Sequence, residues 1–441
     1  ADTDSGLTGA ASTLNESAST MSLLKLGAGT LALGNAAYTQ LDGATDKTAK
    51  FSWTVQEGAL RGLSNTDPAR NTSNSIVPAP GATTGPFAAI PAFTGGVYEI
   101  DNSSGNGGTF TAKLNVRGPD EINLSGGGGF AAYGNPVKVS LDTDRASDQI
   151  LWEWYTHVGD NRALIFGSLT ANAPITLTNP IDTRYAKARE IKVVDNPDSE
   201  ADTAEISGVL SGSGSFRKTG DGILVLSAPN SYGGGTVVEG GTLVVSNTTG
   251  SATGTGSVTI NSGARLLGSG TITGDTTLAD GATIAPGNNL GTLHGVNQTW
   301  SGGAAYEWEV HDWSGGGSGT DWDLIALTGA LTIAATPADP LVIQVLPDAT
   351  NGVISVSGTP GGLDSFVILT ATGGISGFSL DSILVDASSW TTKSQWSVRL
   401  DGNSLILDHY FVPEPASLAL LLLVVAGCAG TRRQRRGSRA C

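Results

Sequence analysis

The chain has 441 residues, only 15% of them charged, and 40 acids against 24 Lys and Arg give a net charge of −16. So acidic a surface repels nucleic acid and anionic lipid, which argues against a nucleic-acid partner. Glycine supplies 62 residues, about twice the usual share. The two cysteines, Cys428 and Cys441, both lie at the C-terminal end, so the rest must be stabilised by packing without disulfides.

Residues 1–20 are rich in Ser, Thr and Ala and read as a flexible or capping start. The chain opens at Ala1 with no basic-then-apolar leader, which reads as a mature end left by removal of a signal peptide. From 21 to 298 short alternating apolar runs are punctuated by glycines. Lys25-Leu26-Gly27-Ala28-Gly29-Thr30-Leu31-Ala32-Leu33 has a second copy in Lys218-Thr219-Gly220-Asp221-Gly222-Ile223-Leu224-Val225-Leu226. The first copy is followed by Val55-Gln56-Glu57-Gly58-Ala59-Leu60, the second by Val238-Glu239-Gly240-Gly241-Thr242-Leu243. Weaker echoes set Gly241, Gly263 and Gly281 22 and 18 residues apart. Alternation means strands with one inward face, and glycines permit tight turns between them. A period of about 20 residues with this content predicts a β-solenoid, in which each coil buries its apolar face against its neighbours. Pro/Gly/Asn-rich stretches near 65–95, 101–108 and 125–136 read as loops interrupting the coils.

Residues 299–411 read as a C-terminal β-region that caps the stack, with strands at Phe366-Val367-Ile368-Leu369-Thr370 and Ser404-Leu405-Ile406-Leu407-Asp408. Residues 412–441 differ in kind. Val412-Pro413-Glu414-Pro415 leads into an uncharged run of 17 residues, 415–431, closed by Arg432, Arg433, Arg435 and Arg436. Pro415 suits a first helical turn. The run is about 25 Å long as a helix, the short end of what spans a bilayer, with the arginines as a cytoplasmic basic anchor. No other helix of length is expected. The expected fold class is therefore all-β, a parallel β-helix with a C-terminal β cap and a single short C-terminal transmembrane helix.

Motifs that carry chemistry are few. No nucleophile elbow, phosphate loop, cysteine pair or His-x-x-x-His occurs, and His157, His294, His311 and His409 are scattered. Glu307 and Glu309 share one strand face around Trp308, the spacing of an acid–base pair but also of an ordinary solvated face. Asp142 and Asp144 are hard-oxygen donors or a polar turn. Gly316 to Leu324 nearly matches a calcium-binding nonapeptide, with Asp323 where an aliphatic residue belongs. Trp152, Trp154, Trp300, Trp308, Trp313 and Trp322 are candidates for stacking on sugars or for core packing. No catalytic residue, metal ligand or cofactor is expected.

Two resemblances add to this. The tail from Val412 to Arg436 resembles the PEP-CTERM sorting signal, also labelled the ice-binding protein C-terminal domain. That resemblance implies export, recognition of the tail by the membrane protease-transpeptidase exosortase, transient anchoring in the inner membrane through 415–431, and a cell-surface or extracellular life associated with exopolysaccharide. Residues 212–247, with Asn230-Ser231-Tyr232-Gly233-Gly234-Gly235-Thr236, resemble the autotransporter-associated β-strand repeat, which implies a right-handed parallel β-helix in a secreted passenger. Ala285-Pro286-Gly287-Asn288-Asn289-Leu290-Gly291-Thr292-Leu293 resembles a late coil of such proteins. Unlike a true autotransporter, the chain has no run of barrel strands. The expected function is a non-enzymatic structural or adhesin-like surface protein. A β-helical polysaccharide lyase or hydrolase is the alternative, and an ice-binding solenoid a weaker third.

Overall fold

The computed structural model describes residues 20–28, 30–32, 50–63, 90–103, 108–114, 121–143, 145–153, 157–287, 289–311, 317–347, 363–390 and 394–411. Alternation decides the architecture. In Ala305–Val310, Tyr306, Trp308 and Val310 are buried while Ala305, Glu307 and Glu309 face outward. The same two-residue period runs through Ile223–Leu226, Arg265–Gly268 and Leu341–Pro347. A strand with one apolar face cannot bury it alone, so the faces stack inward on one continuous core, from Leu60 to Leu407.

Two long parallel sheets carry the fold. One has 13 strands, from Thr30–Ala32 to Ile375–Ser376; the other has 12 and ends at Ile383–Asp386. The chain alternates between them, and each strand pairs in parallel with its counterpart one coil later, the arrangement of a β-solenoid. In the most regular stretch Phe216 pairs with Thr236, Thr236 with Val258, Val258 with Thr276 and Thr276 with Gln298. That is a coil of about 20 residues, as the spacing of the glycines predicts. The turn glycines themselves stack: the Gly263 N–H donates to Gly281 O (2.9 Å) and the Gly281 N–H to Gly303 O (3.2 Å). All three have positive φ, between 69° and 76°, where a side chain would be strained.

Longer coils add a third, interrupted face. Ile150–Leu151, Ile181–Asp182 and Leu210–Ser211 form one short parallel sheet on it, and Thr292–Gly295, Leu324–Leu327 and Leu363–Ala371 begin another. Parallel pairing runs on across residue 298, since Gln298–Ser301 takes Leu331–Ala334 and Ala305–Val310 takes Leu341–Pro347. It ends where Ser394–Asp401 and Ser404–Phe411 fold into an antiparallel hairpin, the second strand also lying antiparallel to Leu363–Ala371. Both strands expected there, around 366–370 and 404–408, are thus present.

Part of the 125–136 stretch expected as a loop is instead a buried strand, Gly128–Tyr133, of the 13-stranded sheet. Its glycines mark crowding rather than a turn: a Cβ on Gly129 would meet Ile165 O at 2.0 Å. Among the described residues the only helical turns are Ala146–Asp148 and Leu380–Ser382, and no helix is long and apolar enough to cross a membrane. The predicted span 415–431 lies outside the described residues, as do Val412, Pro413, Glu414, Pro415, Arg432, Arg433, Arg435 and Arg436.

Candidate functional site

The repeat residues turn out to build coils. Lys218 is buried, and its ammonium donates to Gly220 O (2.8 Å) and Gly240 O (2.9 Å), tying the glycine turn of its own coil to that of the next. Burial holds its pKa down at about 8, against the pull of Asp221 and Asp195. Asn230 spans three coils: its Oδ1 accepts from Leu210 N (2.8 Å) and its Nδ2 donates to Ala252 O (2.5 Å). The Tyr232 hydroxyl, buried with its pKa pushed up by desolvation, shares a hydrogen bond with Thr236 Oγ1 at 2.5 Å.

The carboxylates singled out from the sequence fare similarly. Glu307 is engaged by Arg265, from two coils earlier, through Nη1 at 2.8 Å and Nη2 at 2.5 Å. Two parallel charge-assisted hydrogen bonds from one guanidinium fix this carboxylate in place and tie coils two steps apart. Asp142 is exposed and lies 3.8 Å from the Lys113 ammonium; Asp144 is outside the described residues. Asp323, the residue out of place in the calcium nonapeptide, is fully buried. Its carboxylate accepts from Gly291 N (2.9 Å) and Glu309 N (3.0 Å), joining two turns of chain. Asp321 accepts from Gly317 N (3.0 Å) within its own turn. Among the described residues no group of His, Cys, Asp and Glu is arranged to hold a metal ion.

Trp152, Trp300 and Trp308 lie in the core. Trp300 Nε1 donates to Gln298 Oε1, and Trp308 Nε1 to the Asp323 carbonyl. Trp322 is half-buried against Phe366, while Trp154 and Trp313 are outside the described residues. His157 is buried, and its Nδ1 accepts from Leu151 N at 2.9 Å. Desolvation, helped by Arg145, lowers its pKa to about 4, so the ring is neutral at ordinary pH. Burial also lowers the pKa of His409, against the pull of Asp364.

One constellation has no trace in the sequence pattern. Glu153 and Asp160 come from one coil, Lys187 and Arg189 from the next. Lys187 Nζ bridges the two carboxylates, contacting Glu153 Oε1 and lying 2.9 Å from Asp160 Oδ2. Arg189 Nη1 lies 3.4 Å from Glu153 Oε1 and 3.5 Å from Asp160 Oδ1, and its Nε donates to Thr183 O at 3.1 Å. The Lys187 and Glu153 contacts hold Asp160 below the usual carboxylate range. The Arg189 side chain is 1% exposed and that of Glu153 10%, whereas Asp160 and Lys187 are 42% and 49% exposed. The first pair is buried and the second reaches solvent. Glu153, Asn161 and Arg184 around it have left-handed φ of 61°, 54° and 59°. A cluster of strained non-glycine residues is worth attention as a functional location. Nothing in the spacing of Glu153, Asp160, Lys187 and Arg189 announces it, because they meet only through the stacking of coils.

Comparison with known proteins places the family model of the passenger-associated-transport-repeat on residues 216–245. This is the stretch in which Ser215–Thr219 pairs with Thr236–Val238 and Ile223–Leu226 with Thr242–Val245. The match supports an exported, passenger-type surface protein, and it falls within the copy the sequence marked as clearest. A comparison with curated proteins found no match.

Proposed function

We propose that the chain is an exported bacterial surface or matrix protein, a structural, adhesin-like β-solenoid that acts by display rather than by catalysis. The observation that carries this reading is the coincidence of the passenger-associated repeat, residues 216–245, with the most regular coils of a long parallel stack. Passenger stalks need an extended rod that is stable without disulfides, and nearest-neighbour stacking supplies one. Within the proposal the helix is right-handed and the hairpin Ser394–Phe411 caps its C-terminal end, turning the strand direction so that the open edge does not recruit another chain. Residues 412–441 act as a PEP-CTERM sorting signal: Val412-Pro413-Glu414-Pro415 is the motif, 415–431 the transient span, and Arg432, Arg433, Arg435 and Arg436 the cytoplasmic anchor. Exosortase processes this tail, and the released solenoid joins the exopolysaccharide of the cell surface. Glu307, held by Arg265, supports the non-catalytic role.

Mass spectrometry of the C-terminal peptide, on protein taken from its native cells, tests this. A terminus cut near Pro415 is the expected result. An intact terminus reaching Cys441 would overturn the processing step.

A further inference from the structure

The later strands of the 13-stranded sheet show their outer face to solvent: Thr259, Thr277 and Thr299, outward residues of successive strands, are exposed or half-buried. The amino-terminal strands differ. In Val97–Asp101 the first four residues are all buried, and in Gly128–Tyr133 the first five. Leu60, Tyr98, Phe130 and Phe166 point into the main core. The alternate residues Ala59, Val97, Ala131 and Ile165 therefore lie outside the sheet. There they form a second, separate buried cluster with Ala171.

Residues 167–171 close over this cluster. Gly167, with φ of 74°, turns the chain at the end of Leu164–Phe166, and a Cβ there would meet Val194 O at 2.2 Å. Ser168 and Thr170 then meet the carboxylate of Glu99, which is fully buried although it points outward from its strand. Ser168 Oγ donates to Glu99 Oε1 at 2.8 Å and Thr170 Oγ1 at 2.9 Å, while Arg61 Nε donates to Glu99 Oε2 at 2.7 Å. Ser168 Oγ in turn accepts from Ala171 N at 2.9 Å, which fixes the turn. Thr170 Oγ1 also lies 2.6 Å from Thr30 Oγ1, on a residue 140 positions earlier.

These contacts skip strands. Gly128–Tyr133 lies between the strand of Glu99 and Leu164–Phe166, and three strands separate Thr30–Ala32 from Leu164–Phe166. A stack held by nearest-neighbour contacts alone opens from its end, coil by coil. A buried carboxylate that loses two hydroxyl donors is left with Arg61 alone, a costly state.

We infer that residues 167–171 are a latch closed over the outside of the amino-terminal coils. Ala59–Leu63, Val97–Asp101 and Gly128–Tyr133 open together, when Ser168 and Thr170 leave Glu99, rather than fraying one by one. The latch keeps this end of the rod from unravelling, whatever the rod displays.

Hydrogen exchange of the purified full chain, followed by mass spectrometry, tests this. In wild type the three strands share one protection factor. Ser168→Ala with Thr170→Val lowers it at least about tenfold in all three, the loss of hydrogen bonds to a charged group, and leaves the coils from Ser215–Thr219 to Gln298–Ser301 unchanged. Thr170→Val alone, the milder change, gives the same pattern, and Thr170→Ser, which keeps the hydroxyl, exchanges as wild type. Separate protection factors for the three strands in wild type, a change confined to 167–171, no change in either valine variant, or an equal loss of protection in the coils beyond Ser215 overturns the latch.

Discussion

The lysine of the repeat motif should make the stability of the solenoid depend on pH in alkaline solution. Lys218 is buried with two carbonyl acceptors, Gly220 O and Gly240 O, and no carboxylate in hydrogen-bond contact. Desolvation lowers its pKa from 10.5 to about 8. Between those values the unfolded chain binds more protons than the folded one, so stability rises with pH. The contribution is fully present above 10.5 and lost as the pH falls through about 8. At about 1.4 kcal/mol per pH unit the whole interval is worth about 3 kcal/mol, and the span from about pH 8 to about pH 9.5 captures about 2 kcal/mol. Higher pH brings in the buried Tyr232 and Tyr306, whose raised pKa values act in the opposite direction once the unfolded phenols ionise. Lys218→Met keeps the length of the side chain and removes the titrating group. Urea denaturation followed by tryptophan fluorescence, on wild type and Lys218→Met from about pH 7 to about pH 9.5, isolates the effect. The expected result is a wild-type stability that climbs by about 2 kcal/mol relative to the variant above about pH 8. Two curves that stay parallel across that range would refute the assignment of Lys218 as a desolvated staple.

Four further outcomes follow from the same structure. His157, held neutral with a pKa of about 4 against 6.5 unfolded, contributes stability present above pH 6.5 and lost as the pH falls through about 4; acid melts of His157→Gln should lack that loss, worth about 3 kcal/mol in wild type. Gly263→Ala meets no atom within 4 Å and should cost about 1 kcal/mol, the left-handed backbone penalty alone. Gly268→Ala drives a Cβ to 2.0 Å from Val245 O on the preceding coil and should cost more than about 3 kcal/mol in thermal or urea melts. The double variant Glu307→Gln with Glu309→Gln should leave reducing-end release from polysaccharides at the background level of wild type and lower stability by no more than about 1 kcal/mol, because the Arg265 pair is partly exposed. Measurable cleavage by the intact protein would sink the non-catalytic reading.

Much of the fold was legible in the chain itself. Alternation in Tyr306-Glu307-Trp308-Glu309-Val310 gave the inward and outward faces correctly, and the glycine spacing gave the coil length, because both are local consequences of a two-residue pleat and a tight turn. The same local reasoning held for the turn at Gly126 and Gly127 but misjudged Gly128 and Gly129, which lie in a strand where glycine answers to the Phe93 side chain, Gly96 O and Ile165 O rather than to a turn.

The ion-pair cluster of Glu153, Asp160, Lys187 and Arg189 was not legible at all. Glu153 and Lys187 touch only because the coil between them has one particular length, and Arg189 is a core position by alternation yet carries a guanidinium. The staple role of Lys218 was likewise hidden, since its acceptors Gly220 and Gly240 belong to two successive turns. The sequence by itself determined strand, turn and period, which depend on neighbours along the chain. The tertiary structure decided which charged groups meet across coils, because contacts in a stack join residues a full coil apart, and coil lengths vary wherever loops enter the third face.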